Sequence, residues 1–391
     1  MDPDPSSATD DLVAQGEFAA ALELLTARAV DPGLGPEERG EARVDAAVMA
    51  LRMYDLARVH DLVATAGHDL PEPYAAQLAL IDLVLRSLLG DAGAADDLVE
   101  AISARLAGPL PGSELRLVAE ALALAVARAG RRDDLLEVVL RASGMAFDLG
   151  ASDLVTALGV AEAAYRSRSD LVGAAFAARR SVRTADETGD RRNLPFALAQ
   201  LANALAGLGG AEVLAVADRL AGFGAASAVA TADFARGMYA LTLGDEDAAF
   251  PVFADLERRH GADPAVGVSW HADLVALALR AGDPELAAAA AASVRSLAEL
   301  SGMPWLQAAA LRARGLLAPD AADGVAALVE ARSMFVARGY LIAAARTSLD
   351  LADRLGPASP ERPEALARAR DGFAGAGMTH WVRRVDDALA G

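Results

Sequence analysis

Five histidines, His60, His68, His260, His271 and His380, are the side chains in this sequence best suited to metal or general-base chemistry. Their spacing withholds it. None belongs to an HExxH pair or shares a helix face with a second ligand, so a zinc site would need distant segments to converge. Ser269 and His271 put a hydroxyl near an imidazole in residues 267–271 (GVSWH), but the G-x-S-x-G elbow and its strand context are absent. Gly372, Gly375 and Gly377 follow a helical pattern rather than a strand, so they read as a helix C-terminus, not a phosphate loop. The chain contains no lysine and no cysteine, which removes Walker lysines, Schiff bases, thiolate nucleophiles, disulfides and Cys-ligated zinc. The expectation is a non-enzymatic chain with no catalytic residue, metal or cofactor.

Binding chemistry is better represented. Gln200 and Asn203 lie one turn apart in the apolar stretch FALAQLANALAG, where amides are costly unless something pairs with them. Seven arginines fall within residues 165–192, and Arg179, Arg180 and Arg183 form a forked donor surface suited to carboxylate or phosphate. Asp186, Glu187 and Asp190 stand close enough to neutralise much of it. Trp270, Trp305 and Trp381 fall near helix starts, where a large ring can wedge between units.

These residues need a scaffold, and the scaffold repeats. Apolar stripes of helical period are broken at Gly90-Asp91, Gly130-Arg131, Ser169-Asp170, Gly209-Gly210, Gly244-Asp245, Gly282-Asp283, Pro319-Asp320 and Gly356-Pro357, at intervals of 35 to 40 residues. Each unit reads as a helical hairpin. Glycine ends one helix in a left-handed conformation, and aspartate caps the next. Around Gly244, Gly237 and Ala249 are expected to meet across the pair, with Phe253 filling the seam to the next unit. One hairpin cannot bury its stripe alone, so neighbours must stack. The fold class that follows is all-α, a right-handed α-solenoid of roughly nine helix pairs. Residues 1–391 are expected to form a single solenoid domain, with 378–391 as a C-terminal capping helix.

Residues 236–256 (RGMYALTLGDEDAAFPVFADL) and 12–25 (LVAQGEFAAALELL) resemble tetratricopeptide repeats, although Leu135 stands where alanine is usual. Four phrases of the last third are similar, in order, to the helical sensor region of large ATP-binding LuxR-type, MalT-like transcriptional regulators. They are residues 270–287 (WHADLVALALRAGDPELA), 302–318 (GMPWLQAAALRARGLLA), 344–356 (AARTSLDLADRLG) and 369–389 (ARDGFAGAGMTHWVRRVDDAL). That family's ATPase and helix-turn-helix modules are not represented in this sequence. The resemblance implies a superhelix with first helices on its concave side, binding an inducer or a partner protein. Counting back from the hinges then places Arg166 and Thr156, Asn203, and Met238, Phe234 and Thr231 on that side, with Gln200 beside Asn203. The expected ligand site is Arg166, Gln200, Asn203, Phe234 and Met238, taking a protein, a peptide or a small-molecule inducer in the concave groove. A stand-alone scaffold with a structural or assembly role is the alternative.

Thirty-six basic against 55 acidic residues give a formal charge of −19, a field that repels nucleic-acid backbones and anionic lipid. No direct nucleic-acid binding is expected. Apolar runs such as residues 121–127 are too short to span a bilayer, and the acidic start MDPDPSSATDD lacks a signal-peptide pattern, so a cytoplasmic protein without membrane association is expected.

Overall fold

The structure, a computed structural model, describes residues 8–9, 11–13, 17–52, 55–66, 70–89, 91–106, 170–191, 193–263, 269–301 and 303–390. The Gly130-Arg131 hinge, Leu135, Thr156, Arg166, the 121–127 run and His68 lie outside the described residues.

Every regular element described is a helix. In the N-terminal part these are α1 (Phe18–Ala29), α2 (Pro36–Arg52), α3 (Leu56–Ala64), α4 (Glu72–Leu88) and α5 (Ala92–Leu106). The remainder comprises α6 (Leu171–Thr188), α7 (Leu194–Leu208), α8 (Glu212–Ala221), α9 (Ala226–Leu243), α10 (Glu246–His260), α11 (His271–Ala281) and α12 (Pro284–Ser301). It ends with α13 (Pro304–Leu317), α14 (Ala321–Ala337), α15 (Leu341–Leu355), α16 (Arg362–Gly375) and α17 (Thr379–Ala390). Within α1–α5 and within α6–α17 each helix packs on the next, giving an all-α solenoid of stacked hairpins. Among the described residues no helix is long and apolar enough to cross a membrane.

The hinge between α9 and α10 shows why the units recur. Gly244 adopts φ 84°, a left-handed conformation that lets the helix end without a Cβ clash. Asp245 follows, and its Oδ1 accepts from the Ala248 amide at 2.9 Å. Asp170, Asp283 and Asp320 cap α6, α12 and α14 in the same way. Phe253 differs from expectation. Its ring lies over Gly237, where a Cβ would stand 2.5 Å from Phe253 Cε1, so the phenyl fills the close approach inside the pair. Phe253 is fully buried there.

First helices touch one another as well as their own partners: α7 meets α9, α11 meets α13, and α13 meets α15. They form the inner layer of the solenoid. At the C-terminal end the inner layer closes, because α17 packs on α16 and also reaches back to α9.

Candidate functional site

The inner face is built from α7, α9, α11, α13 and α15. On α7, Gln200 is half-buried and engaged in a polar interaction. Asn203, one turn on, is also half-buried, and its Oδ1 is shielded from solvent with no donor in reach. On α9, Phe234 is half-buried with its ring centroid 6.2 Å from that of Phe253. Met238 is 8% exposed, and its Sδ lies 3.8 Å from Arg346 Nη1 on α15. Phe234 therefore turns toward its hairpin partner while Met238 faces across the superhelix. Arg166, the fifth residue of this set, lies outside the described residues.

Deeper in the same face is a buried ionic ladder. Arg312 on α13 donates from Nη1 to Asp273 Oδ1 on α11 at 2.8 Å, and from Nε to Asp350 Oδ2 on α15 at 2.5 Å. Arg346 Nη2 joins Asp273 Oδ1 at 2.6 Å. Two guanidiniums and two carboxylates thus balance. Burial alone would lower the Arg312 pKa, but Asp350 and Asp273 reverse this and raise it. Burial dominates at Arg346 and lowers its pKa despite Asp273. None of these four residues is a His, Cys or Lys, the types that mark metal and nucleophile sites in a sequence. The ladder's signal was nonetheless in the sequence, since Asp273, Arg312 and Asp350 follow one another at 39 and 38 residues, the spacing of the repeat itself.

The arginine-rich segment is engaged in ion pairs between neighbouring helices. Arg179, exposed on α6, donates from Nη2 to Glu212 Oε2 on α8 at 2.7 Å, and Asp186 is held by Arg219. Arg180 is also engaged, and Arg183 is exposed. Such pairs bind helix to helix and leave less charge for an external anion.

Ser269 and His271 do come together. Ser269 Oγ lies 3.1 Å from His271 Nδ1, and His271 Nε2 lies 2.8 Å from the Gly261 carbonyl and 3.6 Å from Glu257 Oε2. With Nε2 donating to Gly261, Nδ1 accepts from Ser269. The imidazole is fully buried and stacked on Trp270, with ring centroids 4.5 Å apart. Trp270 Nε1 in turn donates to Glu257 Oε2 at 3.0 Å, and Ser293 Oγ to Glu257 Oε1 at 2.6 Å. The cluster fastens α10, α11 and α12 together. Among the described residues no group of three or more His, Cys, Asp or Glu is placed to hold a metal.

Between α12 and α14, with α13 as its floor, lies an outer groove of about 850 Å³. Leu311 and Ala298 line it with Arg295, Glu299, Arg314 and Glu330.

No protein-family model matches this chain, and no curated protein matches it. Solved structures do. A Rap protein complexed with competence and sporulation factor superposes with a TM-score of 0.54 at 14% identity, covering 90% of this chain and 99% of the other. A chain of the APC/C hetero-tetramer Cut9–Hcn1 covers 99% of this chain at 14% identity, with a TM-score of 0.35. The first likeness supports a TPR-like repeat fold, and at this identity it speaks to fold alone.

Proposed function

We propose that this chain is a non-catalytic recognition module that binds a protein or peptide segment on its inner face, as the sensor or interaction region of a MalT-like regulator would. Residues 1–391 serve in this reading as one solenoid. The observation that carries it is Asn203, whose amide oxygen is held on the inner layer without a donor, one turn from Gln200. A shielded acceptor left unpaired costs about 1–3 kcal/mol; the oxygen is closed to solvent in the free chain, so the N–H of an extended peptide relieves it once the amide turns toward the groove. The ligand site proposed is Arg166, Gln200, Asn203, Phe234 and Met238, an arrangement of amides, one cation and soft apolar groups. The TPR-like neighbour solved with its competence and sporulation factor agrees with such a role for this architecture.

The test begins with peptides selected from a random displayed library against the full chain. Asn203→Ala combined with Gln200→Ala is expected to weaken the selected peptides by about 1–3 kcal/mol in calorimetry. Unchanged affinity in the folded double variant would refute the site.

A further inference from the structure

Helix α17 does more than cover the hairpin before it. Trp381, 4% exposed, stacks on Phe373 of α16 at 5.0 Å between centroids, which suffices for a cap. Its indole Nε1 also donates to Thr242 Oγ1 at 3.3 Å, at the end of α9 and 139 residues away. One turn later Arg384, its guanidinium 5.3 Å from the indole centroid, donates from Nη2 to Glu246 Oε1 at 2.5 Å. Glu246 Oε2 accepts from Arg280 Nε at 2.7 Å. Burial works to raise the Glu246 pKa, but Arg384 and Arg280 outweigh it and the value is lowered, which keeps the carboxylate charged. Arg346 contacts both sides of this junction, with Cζ 5.6 Å from the Trp381 centroid and Nη1 3.8 Å from Met238 Sδ. At the start of α17, His380 Cδ2 lies 3.0 Å from the point where a Gly209 Cβ would stand.

Two features of this contact bear on its opening. The Arg384–Glu246 pair keeps 35% and 25% of its side-chain surface exposed, so water can reach it, as it can the Arg179–Glu212 pair between α6 and α8. The contact is also directional, resting on one indole N–H and one guanidinium aimed at one hydroxyl and one carboxylate. Such polar anchors confer specificity while remaining exchangeable.

We propose that the α9–α10 junction, centred on Thr242 and Glu246, is a helix-docking site occupied in cis by α17. The same site accepts in trans a helix that presents tryptophan and, three residues later, arginine. The proposal deepens the reading of the inner face as a recognition surface, because α17 in place covers Thr242, one turn from Met238 on the same helix. Opening the site exposes Thr242.

The probe is a fluorescent synthetic peptide of residues 376–390, added to the full chain carrying Arg384→Glu, which sets like charges against one another at Glu246. The peptide is expected to bind this variant at least about tenfold more tightly than the wild type, whose site is filled. Replacing Arg384 by Glu in the peptide, or adding Glu246→Gln to the chain, is expected to remove the gain. A cysteine-free chain also permits paired spin labels at Leu214→Cys and Leu389→Cys, both exposed positions. Their distance distribution is expected to lengthen and broaden in Arg384→Glu. If that variant does not fold, Arg384→Gln serves, with faster amide exchange at residues 240–246 the expected result. Equal peptide binding to wild type and variant, or distances and exchange unchanged in a folded variant, would overturn the proposal. No foreign peptide is used, so failure of the library selection leaves this outcome untouched.

Discussion

Asn203 is the residue at which stability and recognition pull in opposite directions. Its orphaned oxygen penalises the folded chain, so Asn203→Leu is expected to raise stability by about 1 kcal/mol while weakening bound peptide, read as a higher urea midpoint at unchanged slope. Arg312 is the opposite case. Its removal strands Asp273 and Asp350 in a buried site with only Arg346 to answer them, so Arg312→Ala is expected to cost about 3 kcal/mol or more. His271 links the fold to pH. Burial lowers its pKa although the Gly261 carbonyl and Glu257 favour the charged form. An unfolded imidazole titrates at about 6.5, so below that value this residue binds more protons in the unfolded chain than in the folded one. The stability this residue contributes is complete above that pH and is lost as pH falls toward the folded value. His271→Gln is expected to flatten the fall in Tm between about pH 7 and 5. The ionic ladder shows what residue-type searching leaves unread: an arginine between two aspartates is conspicuous only when positions are compared one repeat apart.

The helical hairpin was legible because its punctuation is local. A glycine that must turn left-handed and an aspartate that caps within three residues need no tertiary information, and Gly244-Asp245 and Gly282-Asp283 carry both. Asp245→Ala is accordingly expected to lower stability by about 1 kcal/mol through the loss of its bond to Ala248, measured by thermal or urea unfolding. Phe253 was less legible. Whether its ring fills the interior of a pair or the seam between pairs depends on how closely Gly237 lets the backbones approach, a distance that periodicity does not encode.

Closure of the superhelix lies beyond local pattern altogether. Each hairpin adds a small rotation, and only the sum brings Trp381 to Thr242 and Arg384 to Glu246. The inner face that the sequence pointed to, Gln200, Asn203, Phe234 and Met238, therefore divides in the structure. Asn203 keeps a free acceptor, whereas Met238 lies against Arg346 beside the docked last helix. The outer groove over α13 offers a competing surface of the same molecule. Hydrogen–deuterium exchange of the full chain with and without a library-selected peptide decides between them. Protection over residues 194–208 and 226–243 is the result expected of recognition on the inner face. Protection confined to residues 284–301 and 321–337, with α7 and α9 exchanging as in the free protein, would contradict it.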